Sequence, residues 1–116
     1  MANTHESREK GLMHARPLHE DEAALFVFPS SSRYAFWNKN VSFPLSLAFC
    51  NEHGQVVDIK DLEAQSTQPV APSREARFVI EVAQGAFERR DIRCGDTIRY
   101  ENNTLSLHKA NNRRSG

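Results

Sequence analysis

The sequence predicts an α+β fold, with a small, curled, mostly antiparallel sheet or a partly open barrel at its centre. Apolar runs of strand length recur along the chain, and clusters of Gly, Pro, Asn and Ser separate them. Two short segments have helical character, which predicts an N-terminal helix and one short helix before the last strand. The chain has 116 residues, a length that suits one domain with a real core.

The two helices are predicted from local signals near each end of the chain. Residues 4–13 are expected to form the first, because Thr4 can cap it and Glu6 suits its first turn. Pro17 ends any continuation of this helix. Residues 85–90 are expected to form the second, of one or two turns.

The strands are predicted from apolar alternation and from the turns between them. Gly54 suits the tight turn of a hairpin, where a positive φ is required. Residues 62–74 form a long loop before the clearest amphipathic strand, at 76–82, and loops of this length are often functional or mobile. Residues 1–103 are expected to form one globular domain, and residues 104–116 a short extra strand with a basic, flexible tail. The predicted strands are 24–28, 34–41, 45–50, 55–60, 76–82, 97–100 and 104–107, with the loop at 62–74.

Composition narrows the class of protein. Lys and Arg total 15, as do Asp and Glu, and this balance argues against a protein built around nucleic acid. The two cysteines form no disulfide framework and no zinc-ligand pattern. No signal peptide or bilayer-spanning apolar run is recognised, so we expect a cytoplasmic protein with no membrane partner. The basic C-terminal segment is either a solvated tail or an arm for an anionic partner.

A series of short motifs runs in order from about Thr4 to Tyr100. They are Arg8, Gly11-Leu12-Met13, Asp21-Glu22, Leu25-Phe26-Val27-Phe28, Phe36-Trp37-Asn38-Lys39-Asn40-Val41, Pro44-Leu45-Ser46, Gly54-Gln55-Val56-Val57, Ala76-Arg77-Phe78-Val79-Ile80-Glu81 and Gly95-Asp96. In order and spacing they resemble the motifs of the uncharacterised domain-of-unknown-function family 192 (DUF192). The resemblance implies a compact, sheet-rich α+β domain. The family has no agreed activity, so no catalytic role is implied.

The chain departs from the family pattern in several places. Asn38 stands where the family has Met, Val41 where it has Thr, and Ser46 where it has Asp. The lost Asp weakens any site that used a carboxylate there. The family strand that precedes the first helix also has no counterpart in the predicted elements. Its absence would leave an exposed edge, an edge filled by a partner chain, or an edge covered by the C-terminal segment.

The three polar residues Asn38, Lys39 and Asn40 follow the only tryptophan, Trp37. One interpretation is structural: the asparagines bond the backbone at a bulge or strand end, and Lys39 passes the indole to reach water. The other is a shallow ligand pocket with Trp37 as its floor, Lys39 as its charge and Asn40 as its hydrogen-bonding group. These residues suit a sugar, a base, a carboxylate or a phosphate, and nothing in the sequence selects among them.

Arg77 and Glu81 lie four residues apart on one predicted strand, and both match the family pattern. They form either a cross-strand ion-pair network or part of the same polar pocket as Lys39. The predicted ligand-binding set is therefore Trp37, Lys39, Asn40, Arg77 and Glu81.

No catalytic or cofactor motif is recognised, and no metal or cofactor is predicted. His14 and His19 flank an acidic loop whose spacing fits no closed metal site. His53 and His108 are expected in exposed segments. Cys94 has arginines nearby in sequence, which would lower its pKa, but a half-buried turn cysteine is the simpler interpretation.

The leading hypothesis is a non-enzymatic binding or interaction module for an unknown small polar ligand or protein partner. The alternative is an enzyme of undefined class that acts on a small polar substrate in the same cleft. A third hypothesis is contact with nucleic acid through the basic C-terminal part, which predicts binding that falls steeply with salt. It rests on the tail and on Arg89, Arg90, Arg93 and Arg99.

Overall fold

The structure, a computed structural model, describes residues 4–6, 19, 22–101 and 104–109. Within these ranges, no helix is long and apolar enough to cross a bilayer. The strands and the one helix are, in chain order, β1 (Thr4–Glu6), β2 (Ala23–Ser32), β3 (Ala35–Trp37), β4 (Leu45–Cys50), β5 (Val56–Leu62), β6 (Ala76–Ala83), α1 (Ala86–Arg89), β7 (Thr97–Glu101) and β8 (Thr104–His108).

Four strands form a central antiparallel sheet in the order β2-β6-β4-β5. All six residues of β4 are buried, because this strand lies inside the sheet and both of its faces are covered. A continuous apolar run such as LSLAFC is what a doubly covered strand favours. The sheet is open, so of the two predicted forms the structure has the open sheet rather than the barrel.

An aromatic cluster covers one side of the central sheet, which we call the first face. Phe26, Phe36 and Phe49 belong to it. The Phe36 ring meets Phe26 edge-on at 5.4 Å and Phe49 at 6.0 Å between centroids. Such pairs add about 0.5–1.5 kcal/mol each beyond the burial of their area. This cluster fixes β3, which carries Phe36, over the sheet.

The opposite side of the sheet, the second face, carries a smaller apolar cluster. It includes Ala48, Ile80 and Val82 from the sheet, and helix α1 covers them with Ala86 and Phe87. Because side chains alternate along a strand, β6 sends Ile80 to this face and the residues on either side of it to the first. The predicted short helix is thus confirmed.

Two small sheets flank the central one. Strand β1 pairs with β3 in parallel, with Thr4 opposite Ala35 and Glu6 opposite Trp37. On its other side, β3 exchanges two backbone hydrogen bonds with Val70 of the long loop, at 2.9 and 2.8 Å between Phe36 and Val70. Strand β3 is therefore held on both sides.

The β7–β8 hairpin forms the second small sheet and docks against the turn between β4 and β5. The Ile98 amide donates to the Gly54 carbonyl at 2.8 Å. Gly54 has φ +81°, and a Cβ there would lie 2.4 Å from the Ile98 carbonyl oxygen. Only glycine fits both the turn and this close approach of backbone.

Two predictions of secondary structure are wrong. Residues Thr4–Glu6 form a strand, so the N-terminal helix does not begin at Thr4; residues 7–13 lie outside the described part of the chain. Pairing with β3 outweighs the weak helical signal of a capping residue. This strand also occupies the N-terminal position where none was predicted. The strand predicted over 34–41 is shorter and ends at Trp37, because the chain then turns.

Candidate functional site

Asn38 is the organising residue at the end of β3. Its side chain is fully buried, and Nδ2 donates to the Phe43 carbonyl at 2.9 Å and to the Glu63 carbonyl at 3.2 Å. Its backbone amide donates to the Ser66 carbonyl at 2.9 Å, and its carbonyl accepts from the Val41 amide at 3.0 Å. One side chain and its own peptide groups therefore tie the turn to the long loop. This agrees with the structural interpretation of Asn38.

The neighbouring residues project outward from this anchored turn. We call residues 37–41 the Trp37 turn. Lys39 and Asn40 are exposed, and Trp37 is half-buried. Lys39 Nζ lies 5.6 Å from the centroid of the Trp37 ring, which is within cation–π range. Asn40 has φ +63°, a left-handed conformation that asparagine tolerates better than most residues. The structure thus brings Trp37, Lys39 and Asn40 together on one turn.

Arg77 and Glu81 lie elsewhere in the fold. The Arg77 side chain is half-buried, and its Nε donates to the Phe28 carbonyl of the adjacent strand at 3.0 Å. Glu81 is fully buried on the first face, where the register places it between Ala24 and Leu47. Glu81 is therefore a core residue, and Arg77 bonds β2 at Phe28, where the register between β2 and β6 shifts.

The side chain of Ser46 is hydrogen-bonded to the carboxylate of Asp61. Its hydroxyl donates to Asp61 Oδ1 of the neighbouring strand at 2.8 Å and accepts from the Gly85 amide at 3.0 Å. Ser46 is buried, whereas Asp61 is exposed. A carboxyl group therefore stands beside position 46, on β5 rather than on β4.

Sequence reasoning missed a groove on the second face, which we call the hairpin groove. It has a volume of about 360 Å³ and opens between β2, β6, the β4–β5 turn and β7. Val27 is 56% exposed, whereas Phe26 and Phe28 of the same strand are buried and Leu25 is half-buried. The alternation in ALFVF was the available signal, because it sends two apolar residues away from the aromatic cluster. The apolar lining consists of Leu25, Val27, Phe78, Ile80 and Ile98.

Polar side chains stand at the rim of the hairpin groove. Glu52, His53 and Arg99 all line it. Glu52 and His53 approach each other at 3.9 Å between Oε2 and Nε2, with side chains 60% and 80% exposed. Arg99 is exposed, and its side chain makes no hydrogen bond or ion pair with the residues that the structure describes. The rim therefore offers one guanidinium available to an incoming group.

Neither thiol is activated. Cys50 lies at the floor of the hairpin groove, and its burial raises its pKa to about 12. The pKa of Cys94 is also raised, first by partial burial and then by the negative charge of Asp58. Both cysteines are free. The arginines near Cys94 in sequence thus do not make it a reactive thiolate.

The predicted histidines and acidic residues form no metal centre within the described ranges, where no group of three such ligands occurs. His19 donates its backbone amide to Glu22 Oε1 at 2.8 Å and is exposed. His53 and His108 are exposed, as expected. His14 and the rest of the acidic loop lie outside the described residues.

The basic residues near the C-terminus are partly neutralised. Arg93 pairs with Asp91 at 2.7 Å, and Lys109 Nζ lies 3.2 Å from the other carboxylate oxygen of Asp91. Arg89 donates to the Gln84 carbonyl at 3.1 Å. These cations therefore serve local structure as well as surface charge.

These features define a sheet-rich α+β domain that carries a polar turn on one side of an open sheet and an apolar groove on the other. The chain belongs to the DUF192 family, described as "Uncharacterized ACR", whose pattern matches residues 1–100. This match confirms the resemblance carried by the motifs. No curated protein matches the chain significantly.

Two solved structures share this fold. A Sinorhizobium meliloti protein, described as a candidate transcription regulator, has a TM-score of 0.72 and 25% sequence identity, covering 91% of this chain and 78% of that chain. A Novosphingobium aromaticivorans protein of unknown function has a TM-score of 0.70 and 23% identity, covering 83% of this chain and 70% of that chain. Each likeness supports the fold.

Proposed function

We propose that this protein is a non-enzymatic binding module and that the Trp37 turn makes the contacts with its ligand. The observation that supports this proposal is that the buried Asn38 side chain fixes the turn, while Lys39 and Asn40 stay exposed beside the indole. A turn held before the ligand arrives loses less conformational entropy on binding. The surface is thus pre-organised for a partner.

The chemistry of the turn selects a small polar ligand that carries negative charge or hydrogen-bonding groups. Lys39 supplies an ammonium group, Asn40 an amide, and Trp37 an aromatic surface on which a sugar or a base can pack. Arg77 and Glu81 support the scaffold in this proposal and do not touch the ligand. A cytoplasmic location is part of the proposal, because both thiols are free.

An enzyme in the hairpin groove is the weaker alternative. Cys50, Glu52 and His53 all line that groove, which is a suggestive set for nucleophilic catalysis. However, a Cys50 pKa of about 12 leaves roughly 1 thiol in 100,000 as thiolate at neutral pH. A catalytic thiol needs the opposite shift. The groove is therefore better suited to holding a ligand than to attacking one.

Nucleic-acid contact is the second alternative, and the Sinorhizobium meliloti protein described as a candidate transcription regulator favours it. Against it, Arg93 and Lys109 already share the carboxylate of Asp91. Binding to DNA or RNA would have to fall steeply with added salt, because it would rest on phosphate contacts. An absence of binding at low salt rejects this alternative.

The proposal is tested by two-dimensional NMR of the ¹⁵N-labelled full chain, titrated with sugars, nucleotides and small acids in turn. We expect a saturable ligand to shift the Trp37 indole and Asn40 amide signals. Lys39→Gln should weaken an anionic ligand about 3- to 10-fold, as loss of one exposed charge contact does. The matched control is Lys60→Gln, another exposed lysine on β5, which should leave binding unchanged. Shifts confined to residues 104–116 would reject the Trp37 turn as the site.

A further inference from the structure

We propose that the hairpin groove is a second, independent binding site for a small molecule that carries one anionic group on an apolar body, such as a medium-chain carboxylate. The site is separate from the Trp37 turn. The groove lies on the second face of the central sheet, whereas the strand that leads into the turn packs over the first face.

Size favours a small molecule over a protein partner. The groove encloses about 360 Å³. Ligand pockets span roughly 300–1,000 Å³, and a stable protein interface needs roughly 800 Å² from each partner. The hairpin groove is at the lower end of the range for small ligands, which suits a slender chain.

The lining determines the apolar body. Val27 and Phe78 are directly opposite each other in the register, and Leu25 and Ile80 form the next pair on the same face of the two strands. Ile98, on β7, lines the groove on the side of that strand. An apolar chain laid over these residues would cover Val27, the large hydrophobic side chain most exposed in the described structure. Removing that surface from water is the expected driving force.

The rim determines the charge of the ligand. Arg99 presents a guanidinium that has no partner among the described residues, and guanidinium groups bind carboxylates in a two-pronged geometry. Glu52 lines the same rim but forms no ion pair with Arg99; its carboxylate lies 3.9 Å from His53 Nε2 and its side chain is 60% exposed. An anionic head therefore has one favourable position, at the Arg99 end of the groove.

Gly54 anchors strand β7, which carries Arg99. The Ile98 amide bonds the Gly54 carbonyl, and Arg99 is the next residue on β7. These backbone contacts fix where the Arg99 side chain starts relative to the apolar floor. The groove combines an apolar floor with a cation at its rim, which is the combination that an amphipathic acid requires.

The test is an NMR titration of the labelled full chain with decanoate, kept below its micelle-forming concentration, and with decanol and acetate as separate probes. Decanoate should give saturable shifts at the amides of Val27, Gly54 and Ile98. Decanol, which lacks the charge, should bind about 10-fold more weakly, as should decanoate to Arg99→Gln. Acetate, which lacks the apolar body, should produce no saturable shifts.

Variants separate the charge from the apolar floor. Arg74→Gln, another exposed arginine outside the groove, should bind decanoate as the wild type does. Val27→Asp changes an exposed side chain, so the fold should persist, as its NMR spectrum will show, while decanoate binding is lost. Equal binding of decanoate and decanol, or an unchanged affinity in Arg99→Gln, would overturn the anionic part of the proposal. No saturable shift at the groove amides would overturn all of it, and shifts at the Trp37 turn alone would do the same while leaving the first site intact.

Discussion

Replacing Asn38 with alanine tests how the Trp37 turn is held. The substitution removes Nδ2, which donates to the carbonyls of Phe43 and Glu63. Phe43 is buried, so its carbonyl would remain without a donor, which costs about 1–3 kcal/mol. Glu63 is exposed and its carbonyl can turn to water, so only the net value of a hydrogen bond, about 0.5–1.5 kcal/mol, is lost there. The sum is about 1.5–4.5 kcal/mol of destabilisation.

Urea unfolding followed by tryptophan fluorescence measures this change, because Trp37 is the only indole in the chain. The control is Asn40→Gly on the same turn. Asn40 is exposed with φ +63°, a conformation glycine adopts freely, so its free energy of unfolding should change by no more than about 0.5 kcal/mol. If Asn38→Ala were as stable as this control, Asn38 would not be the anchor of the turn.

Three further predictions concern the second face and its surroundings. Gly54→Ala should lower the free energy of unfolding by about 2 kcal/mol or more, because φ is +81° and the new Cβ would meet the Ile98 carbonyl; thermal melting measures it, and an unchanged Tm would contradict the docking of β7. Ser46→Asp should destabilise by about 2–4 kcal/mol at neutral pH, because a buried carboxylate would face Asp61, and urea midpoints should recover partly in acid as the carboxyls are protonated. The pKa of Cys50 is raised from 9.0 to about 12 in the folded state, so its contribution is complete below pH 9 and is lost as pH rises towards 12. Unfolding free energy should therefore fall by about 1.4 kcal/mol per pH unit more steeply in the wild type than in Cys50→Ala, and parallel curves would refute the shift.

The central strands could be predicted because the pattern of apolar residues within each segment indicates which of its side chains are buried. The run at 45–50 was predicted and observed with the same bounds, since six consecutive apolar or small residues fit a strand covered on both faces. The strand predicted at 76–82 was found as Ala76–Ala83. In both cases the pattern within the segment was enough, and no distant partner had to be known.

Strand β1 could not be predicted in this way. Its three residues, THE, contain no apolar side chain, and a threonine followed by an acidic residue is a helix-start signal. What makes them a strand is the parallel pairing with Ala35–Trp37, about thirty residues away in the chain. Local propensity predicts secondary structure only weakly. Pairing with a distant strand can override it, and such pairing is not visible in the composition of the three residues.

The two candidate sites differ in the same respect. The Trp37 turn is contiguous, so the sequence itself displayed the indole, the lysine and the asparagine side by side. The hairpin groove draws its lining from β2, β6, the β4–β5 turn and β7, segments that only the tertiary fold brings together. The buried position of Glu81 was hidden for a related reason. Alternation predicts which face a residue takes, but not whether another layer covers that face.

Strand β2 borders the surroundings of both proposed sites but serves them with different residues. Phe26 points into the aromatic cluster that supports β3, while Leu25 and Val27 on either side of it point into the hairpin groove. The backbone of β2 is paired residue by residue with β6 from Ala23 to Val27. We therefore expect binding at the two proposed surfaces to be independent. The alternation of this strand lets a chain of 116 residues present both proposed sites, because successive residues of β2 from Ala23 to Val27 face opposite sides of the sheet.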